Sequence, residues 1–131
     1  MTFHLQIVTP DGLCFDGQAE SLSVRTRQGD VGILPNHIDY VAPLGMGQAR
    51  VRVDGEVRCA ACIGGMISVI GGEVKLVATT FEWADQIDLA RAKNAEARAR
   101  ETLSRAELSD SELRLAEAKL KRALVRQSVA K

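Results

Sequence analysis

The sequence predicts a β + α protein in which an N-terminal β-sandwich is followed by a C-terminal antiparallel two-helix hairpin. All eleven glycines and all three prolines lie at or before Gly72, whereas residues 87–131 contain neither. Glycine supplies turns and proline ends helices, so a segment that lacks both and is rich in Ala, Arg, Glu, Lys and Leu favours helix. We therefore expect the sandwich over residues 1–84 and the hairpin over residues 85–131.

Charge changes at the same place. Residues 1–86 contain six Lys/Arg and ten Asp/Glu, a net charge of −4, and residues 87–131 contain eleven and seven, a net charge of +4. The length of 131 residues suits one ordinary domain, or a small domain with an appendage. The overall charge of zero is therefore the sum of an acidic first part and a basic second part.

Hydropathy and cysteine content predict the compartment. The sequence has no apolar run of about 18 residues, and its N-terminus lacks the basic start and apolar stretch of a signal peptide. Three cysteines are an odd number and too few for a disulfide framework. We expect a cytoplasmic protein with free thiols and no direct membrane insertion.

Alternating apolar residues and turn signals predict the strands. Apolar and polar residues alternate from Phe3 to Ile7, which is the period of a strand. Asp54-Gly55 and Gly71-Gly72 each lie between two alternating segments, which is the pattern of a tight hairpin. Several short strands at close spacing favour a β-sandwich or barrel over about residues 1–82.

Capping residues predict two helices. Asp85 is a candidate N-cap for a first helix that runs to about Leu103. The segment from Ser109 to Glu112 is a capping box, so a second helix begins there and runs towards Ser128. The five-residue link implies that the two helices are antiparallel.

The apolar faces of these helices predict weak anchoring. Between Ala90 and Thr102 the first helix has no apolar residue larger than alanine, and burying methyl groups stabilises less than burying leucines. Two faces of the second helix are usable for packing, which suits more than one docking partner. The alanine stripe of the first helix is Ala92, Ala95 and Ala99; the faces of the second are Leu113, Ala116, Leu120 and Leu124, and Leu115, Arg122, Val125, Arg126 and Val129.

Arginines on the helices are candidate ligands for phosphate. Arg91 and Arg98 lie seven residues apart on one face of the first helix, with Asp88 one turn before Arg91, and Arg122 and Arg126 lie four apart on the second. Guanidinium groups bind phosphate oxygens in a fork, and a nearby carboxylate accepts from a base or ribose. From spacing alone, a solvated charged face is the favoured interpretation.

Other motifs predict no catalytic or metal chemistry. Cys59 and Cys62 have CxxC spacing, but in an extended stretch they point to opposite faces, so a structural role is favoured over zinc. His4 and His37 are isolated, and no catalytic triad, HExxH or phosphate loop is present. The basic segment is interleaved with acids and has no aromatic residue after Trp83, which disfavours nucleic-acid binding.

Five segments give the chain a family resemblance: it resembles the epsilon subunits of F-type ATP synthases over essentially its whole length. These segments are residues 8–12 (VTPDG), 29–37 (GDVGILPNH), 64–65 (GG), 87–92 (IDLARA) and 120–123 (LKRA). The resemblance implies a non-catalytic subunit of the rotor's central stalk, peripheral to the cytoplasmic face of the bacterial plasma membrane. Its sandwich would hold the gamma subunit and the c-ring. Its hairpin would lie folded, or extend towards the alpha and beta subunits and block ATP hydrolysis.

The resemblance also implies ATP as a regulatory ligand, with no cofactor required. Ile87, Asp88, Arg91 and Ala92 match the family's I/L-D-x-x-R-A motif, and Glu82, Arg98, Arg122 and Arg126 stand at its ATP-contacting positions. ATP held there would favour the folded hairpin in proportion to its differential affinity for the two states. The alternative hypothesis is a free-standing nucleotide-sensing module, which would not co-purify with gamma.

Overall fold

Eight β-strands precede two α-helices in the structure, a computed structural model that describes residues 1–105 and 107–130. The chain divides into two units, Met1–Trp83 and the segment from Ala84 onward. The strands are β1 (Phe3–Thr9), β2 (Gly12–Ala19), β3 (Ser21–Thr26), β4 (Gly29–Ile33), β5 (Tyr40–Pro43), β6 (Met46–Val53), β7 (Glu56–Ile70) and β8 (Glu73–Trp83). The helices are α1 (Leu89–Leu103) and α2 (Asp110–Val129), after a short 3₁₀ turn at Ala84–Gln86.

The first unit is one folded sheet with strand order β2-β1-β8-β7-β6-β3-β4, and β5 pairs with β7 off this path. Only the β1–β8 pair is parallel among these strands. The first half of β7 pairs with β6 and its second half with β5, while β8 follows its other side. The long strand β7 therefore belongs to both layers, and the predicted sandwich is confirmed.

Two glycines allow β7 to pass between the layers. Gly64 and Gly65 have backbone φ angles of +70° and +107°, which residues with a side chain rarely adopt. A Cβ on Gly65 would lie 1.9 Å from the carbonyl oxygen of Val77 on β8. The close approach of β7 and β8 at this point therefore requires glycine.

Both predicted hairpins are confirmed. Asp54-Gly55 joins β6 to β7, and Gly71-Gly72 joins β7 to β8. All four residues have positive φ, between +51° and +82°. A two-residue turn with both residues in this region matches the twist of the flanking strands, which explains the sequence preference for Asp-Gly and Gly-Gly.

The core lies between the two layers of the sandwich. The alternation predicted for β1 is confirmed, since Phe3, Leu5 and Ile7 are buried while the residues between them are partly exposed. The other large side chains that are fully buried are Leu22, Val24, Ile33, Val51, Ile67, Val69 and Leu76. These residues come from β3, β4, β6, β7 and β8, so a single apolar cluster holds the sheet.

The predicted start of the first helix was wrong. Asp85 lies in the 3₁₀ turn, and α1 begins at Leu89 with Asp88 as its N-cap. The Asp88 carboxylate accepts a hydrogen bond from the backbone N–H of Arg91 at 3.0 Å. Either aspartate could cap a helix. The 3₁₀ turn ends at Gln86, so the helix starts after it and Asp88, not Asp85, takes the N-cap position.

The second helix begins as predicted. Ser109 is the N-cap, its hydroxyl accepts from the backbone N–H of Glu112 at 3.2 Å, and the Glu112 carboxylate accepts from the backbone N–H of Ser109. The helix ends at Val129, one residue beyond the predicted Ser128. Ala106, in the predicted link, and Lys131, at the end of the predicted hairpin, lie outside the described residues.

Alanines dominate the packing of the second unit. The helices are antiparallel, as predicted, because a short link joins the end of α1 to the start of α2 and Gln127, near the far end of α2, returns to contact Glu96 of α1. Leucines of the predicted α2 stripe, such as Leu113 and Leu124, remain exposed. The buried alanines are spaced by seven residues on each helix: Ala92 and Ala99 on α1, and Ala116 and Ala123 on α2. Small residues at this spacing allow helices to approach closely.

Candidate functional site: a basic groove between the two helices

A groove with a volume of about 580 Å³ lies between α1 and α2. Four cationic side chains and one carboxylate line it, together with small and apolar residues. The lining residues are Ala95, Arg98, Ala99 and Thr102 of α1, and Glu112, Leu115, Ala116, Lys119, Arg122 and Arg126 of α2. The small side chains of Ala95, Ala99 and Ala116 leave space in the groove, and the surplus of positive charge favours an anionic ligand.

Antiparallel packing brings three predicted arginines together. Arg122 and Arg126 lie one turn apart on α2, and Arg98 faces the same groove from α1. Arg122 is half-buried, and its Nε donates a hydrogen bond to the carbonyl oxygen of Ala118 at 3.3 Å. The convergence of these guanidinium groups depends on how the helices pack, which spacing in the sequence left open.

The other four predicted positions do not line the groove. Asp88 caps α1, Arg91 is exposed in the first turn, and Ala92 is buried one residue later. Glu82 lies on β8 in the first unit and is half-buried. The structure therefore places Asp88, Arg91 and Ala92 at the N-terminal turn of α1, and the three arginines in the groove further along the hairpin.

Two charged residues that line the groove, Lys119 and Glu112, were not among the predicted site residues. Leu115, Lys119, Arg122 and Arg126 are spaced by four, three and four residues, which is one face of an α-helix. That periodicity was a usable signal for Lys119. Glu112 was assigned only to the capping box, and its carboxylate also borders the groove.

A cross-helix hydrogen bond supports the groove. Gln127 Nε2 donates to Glu96 Oε1 at 2.8 Å, and Arg100 Nε donates to Glu96 Oε2 at 2.7 Å. These two donors, Gln127 first, hold the pKa of the Glu96 carboxyl below its ordinary value. The ionised form of Glu96 therefore links α1 to α2.

The two cysteines with CxxC spacing are separated by the sheet. Cys62 is buried in the core, and burial raises the pKa of its thiol to about 12. Cys59 is half-buried and pairs with Arg50 of β6. Within residues 1–105 and 107–130, no group of three or more His, Cys, Asp or Glu is placed to hold a metal ion.

A row of apolar side chains crosses the outer face of the sandwich. Leu13 pairs with Val8, Val8 with Val77, Val77 with Met66, and Met66 with Pro43. Leu13, Val77 and Met66 are 59, 45 and 43 % exposed, and on either side of Val77 the strand neighbours Leu76 and Ala78 are buried. This cross-strand apolar row spans five strands, which makes it a candidate interaction surface.

Of the two helices in the described segments, neither combines the length and the apolar character needed to span a membrane.

Family models match both units. The β-sandwich domain of the ATP synthase delta/epsilon chain matches residues 2–84, and the long α-helix domain of the same chain matches residues 85–131. The ATP synthase epsilon chain of Alkaliphilus oremlandii is 43% identical over 98 residues, which are 75% of this chain and 73% of that one. The epsilon chain of Bacillus subtilis is 43% identical over 99 residues, which are 76% and 75% of the two chains.

Solved structures share the fold. A chain of the mitochondrial ATP synthase of Euglena gracilis, solved with OSCP, F1 and the c-ring, has a TM-score of 0.85 and 19% identity. The match covers 97% of this chain and 80% of that one. A chain from the central stalk and c-ring of the Tetrahymena thermophila mitochondrial ATP synthase has a TM-score of 0.68 and 10% identity, with 98% and 96% covered.

The predicted resemblance is confirmed, and it agrees with a subunit that is not itself catalytic. Because the two family models together match residues 2–131 and the bacterial relatives are epsilon chains, this chain belongs to the epsilon chains of the ATP synthase delta/epsilon family.

Proposed function

We propose that the chain is a rotor subunit of the central stalk, peripheral to the cytoplasmic face of a bacterial plasma membrane. Its sandwich would connect the gamma subunit to the c-ring of an enzyme that couples ion flow to ATP synthesis. The cross-strand apolar row is the observation that carries this proposal. It offers exposed apolar side chains side by side on five hydrogen-bonded strands, which suits a partner that must transmit torque.

Co-purification with gamma tests the docking surface. Val77→Glu places a charge in the middle of the cross-strand apolar row and should abolish co-purification, because burying an unpaired carboxylate in an interface is costly. Val57→Glu is the matched control, since Val57 is 43% exposed and lies outside the row. Equal recovery of gamma with both variants would refute this assignment, and failure of the native chain to bind gamma would favour the free-standing nucleotide-sensing module.

The hairpin would regulate ATP hydrolysis through its position. Helices that pack mainly through alanine methyl groups bury little apolar area, so a folded and an extended state of the hairpin would differ by only a few kcal/mol. An extended hairpin would reach the alpha and beta subunits and block hydrolysis there. F1 assembled with residues 1–86 alone should therefore hydrolyse ATP faster than F1 with the full chain, and equal rates would contradict inhibition.

The basic groove would bind ATP and stabilise the folded hairpin. Arg98, Arg122 and Arg126 supply planar donors for the triphosphate. The resemblance assigns the remaining contacts to Glu82, Asp88, Arg91 and Ala92. A ligand that binds only the folded hairpin shifts the population towards it by mass action.

Calorimetric titration of ATP into the isolated full chain tests this site. Arg122→Gln should weaken binding at least tenfold, because it removes one charged donor from the groove. Arg114→Gln is the control, since Arg114 is exposed on α2 and does not line the groove. Absence of saturable binding by the native chain, or equal affinity of the two variants, would refute the ATP site while leaving the stalk role intact.

A further inference from the structure

We propose that the outer face of β3 and β6 carries a second anion site, which binds a phosphate group. The first unit is acidic overall, yet its arginines are confined to one region. They lie on β3, on the turn that follows it, on β6 and at the start of β7: Arg25, Arg27, Arg50, Arg52 and Arg58. Of these five, Arg25, Arg50 and Arg52 line the outer face of β3 and β6, whereas Arg58 is in register with the buried Val51 and lies over the Trp83 ring on the other face, 3.8 Å from its centroid.

Strand register places two arginines opposite two serines. Ser21 pairs with Arg52 and Ser23 with Arg50, whereas the intervening pair, Leu22 with Val51, is buried in the core. The four polar side chains therefore share the outer face of the sheet. Neighbours along one face of a strand are about 6.6 Å apart and cross-strand neighbours about 5 Å, a spacing that one phosphate group can bridge.

Two adjoining grooves run along this face and form a trough. The first has a volume of about 240 Å³ and contains Ser21, Ser23, Arg50 and Arg52, with Gly32 of β4 beside them. The second, of about 340 Å³, shares Ser23 and Arg50 with the first and extends to Gln48 and Arg25. The arginine trough, defined by Ser21, Ser23, Arg50 and Arg52, is therefore open at the surface and adjoins the ion pair of Arg25 and Asp30, which also lines the second groove.

The charges of the arginine trough are not neutralised internally. Arg25 forms a two-pronged pair with Asp30, with Nε–Oδ1 and Nη2–Oδ2 distances of 3.0 and 3.3 Å. Arg50 donates only to the amide oxygen of Gln48, at 3.4 Å. Across the described part of the chain, no carboxylate forms an ion pair with Arg50 or Arg52. Two guanidinium groups therefore remain available to an anion from outside.

The donor set favours phosphate over other anions. Two guanidinium forks and two hydroxyl groups match the several acceptor oxygens of a phosphate group. No aromatic side chain lines either groove, so base stacking offers nothing to a single-stranded nucleic acid. The same phosphate chemistry is found in a soluble phosphate compound and in a lipid headgroup.

A site-resolved titration tests the arginine trough. Pyrophosphate is added to the ¹⁵N-labelled full chain with Arg98, Arg122 and Arg126 changed to glutamine, so that the helical groove does not compete. The amide signals of Ser21, Ser23 and Gly32 should shift to saturation. Arg50→Gln combined with Arg52→Gln should weaken the apparent affinity at least tenfold, whereas Arg27→Gln, which leaves the trough intact, should not.

Vesicle sedimentation distinguishes the two phosphate sources. One outcome is that the chain sediments with vesicles that contain phosphatidic acid but not with vesicles of pure phosphatidylcholine. If this sedimentation is lost when Arg50 and Arg52 are changed to glutamine, the trough binds a lipid headgroup. Saturable pyrophosphate binding without such sedimentation would assign it to a soluble phosphate compound. The proposal is overturned if the signals of the trough do not saturate and no sedimentation occurs, or if the double variant behaves like Arg27→Gln. Neither result depends on gamma binding or on the ATP site.

Discussion

Gln127 and Glu96 connect the two helices of the hairpin through a hydrogen bond of 2.8 Å from the side-chain amide to the carboxylate. The two residues are 31 positions apart in the sequence and meet because the helices are antiparallel. Arg100 occupies the other carboxylate oxygen, so Glu96 is satisfied only as the ionised form. This contact makes the hairpin sensitive to acid.

Removing the amide should raise the pKa of Glu96. The Gln127 hydrogen bond is the largest cause of the lowered pKa, so Gln127→Ala should move the pKa of Glu96 back towards its ordinary value. A carboxyl with a lowered folded pKa stabilises the fold above its unfolded pKa, and this contribution is lost as pH falls through the folded pKa. Titration of the Glu96 carboxyl ¹³C signal measures this pKa in the native chain and in the variant. Ser128→Ala, whose hydroxyl bonds within α2, should leave the Glu96 pKa unchanged.

His4 should make the sandwich less stable as pH rises. Its Nε2 and Nδ1 lie 2.5 and 2.6 Å from carboxylate oxygens of Asp16 and Glu73, which only the doubly protonated ring can satisfy. These contacts, Asp16 first, raise the pKa of His4 above 6.5. Its stabilising contribution is therefore complete below the unfolded pKa and is lost as pH rises through the folded pKa.

Imidazole proton NMR tests the order of these contributions. Asp16→Asn should lower the His4 pKa more than Glu73→Gln does, since Asp16 makes the larger contribution. A His4 pKa at or below 6.5 in the native chain would contradict the cation held between two strands. Equal effects of the two variants would contradict the ranking of the carboxylates.

Gly65→Ala should severely destabilise the sandwich. The new Cβ would meet the Val77 carbonyl oxygen at 1.9 Å, in a backbone conformation that alanine disfavours. Backbone strain and overpacking together predict a loss of about 3 kcal/mol in the free energy of unfolding. Gly71→Ala is the control, because nothing lies within 4 Å of its Cβ position and only the positive φ opposes it, at about 1 kcal/mol. Urea denaturation measures the free energy of unfolding of the two variants. Equal unfolding midpoints for Gly65→Ala and Gly71→Ala would contradict the predicted clash.

Ala123→Leu should open the hairpin. Ala123 is buried, and a larger side chain there forces the helices apart at a cost of about 1–3 kcal/mol. Ala97→Leu introduces the same side chain at an exposed position of α1, where leucine is also a good helix former. Hydrogen exchange of the helical amides should accelerate in the first variant only. Unchanged exchange in Ala123→Leu would show that the seam tolerates larger residues.

Local signals in the sequence predicted most of the elements. Alternation identified β1, the Asp54-Gly55 and Gly71-Gly72 turns identified two hairpins, and the Ser109 capping box identified the start of α2. Each of these signals acts within a few residues. The start of α1 was misplaced because Asp85 and Asp88 are equally good caps in isolation.

Packing could not be predicted in the same way. Of the predicted α2 stripe, Ala116 is buried but Leu113 and Leu124 are exposed, and Ala123 is buried without having been predicted, because helices in close contact favour small residues where they meet. The cross-strand apolar row is likewise invisible in the sequence. Its five members come from five strands and line up only through the register of the sheet.

The sequence by itself determined where turns, caps and strands occur, and its motifs determined the family, because both are carried by residues close together in the chain. Only the tertiary structure decided that Arg98 faces Arg122 and Arg126 in one groove, and that Arg50 and Arg52 lie opposite Ser21 and Ser23. The physical reason is that a binding site needs distant side chains at one point in space. Helix packing and strand register set that geometry, and neither can be predicted from the spacing of residues along the chain.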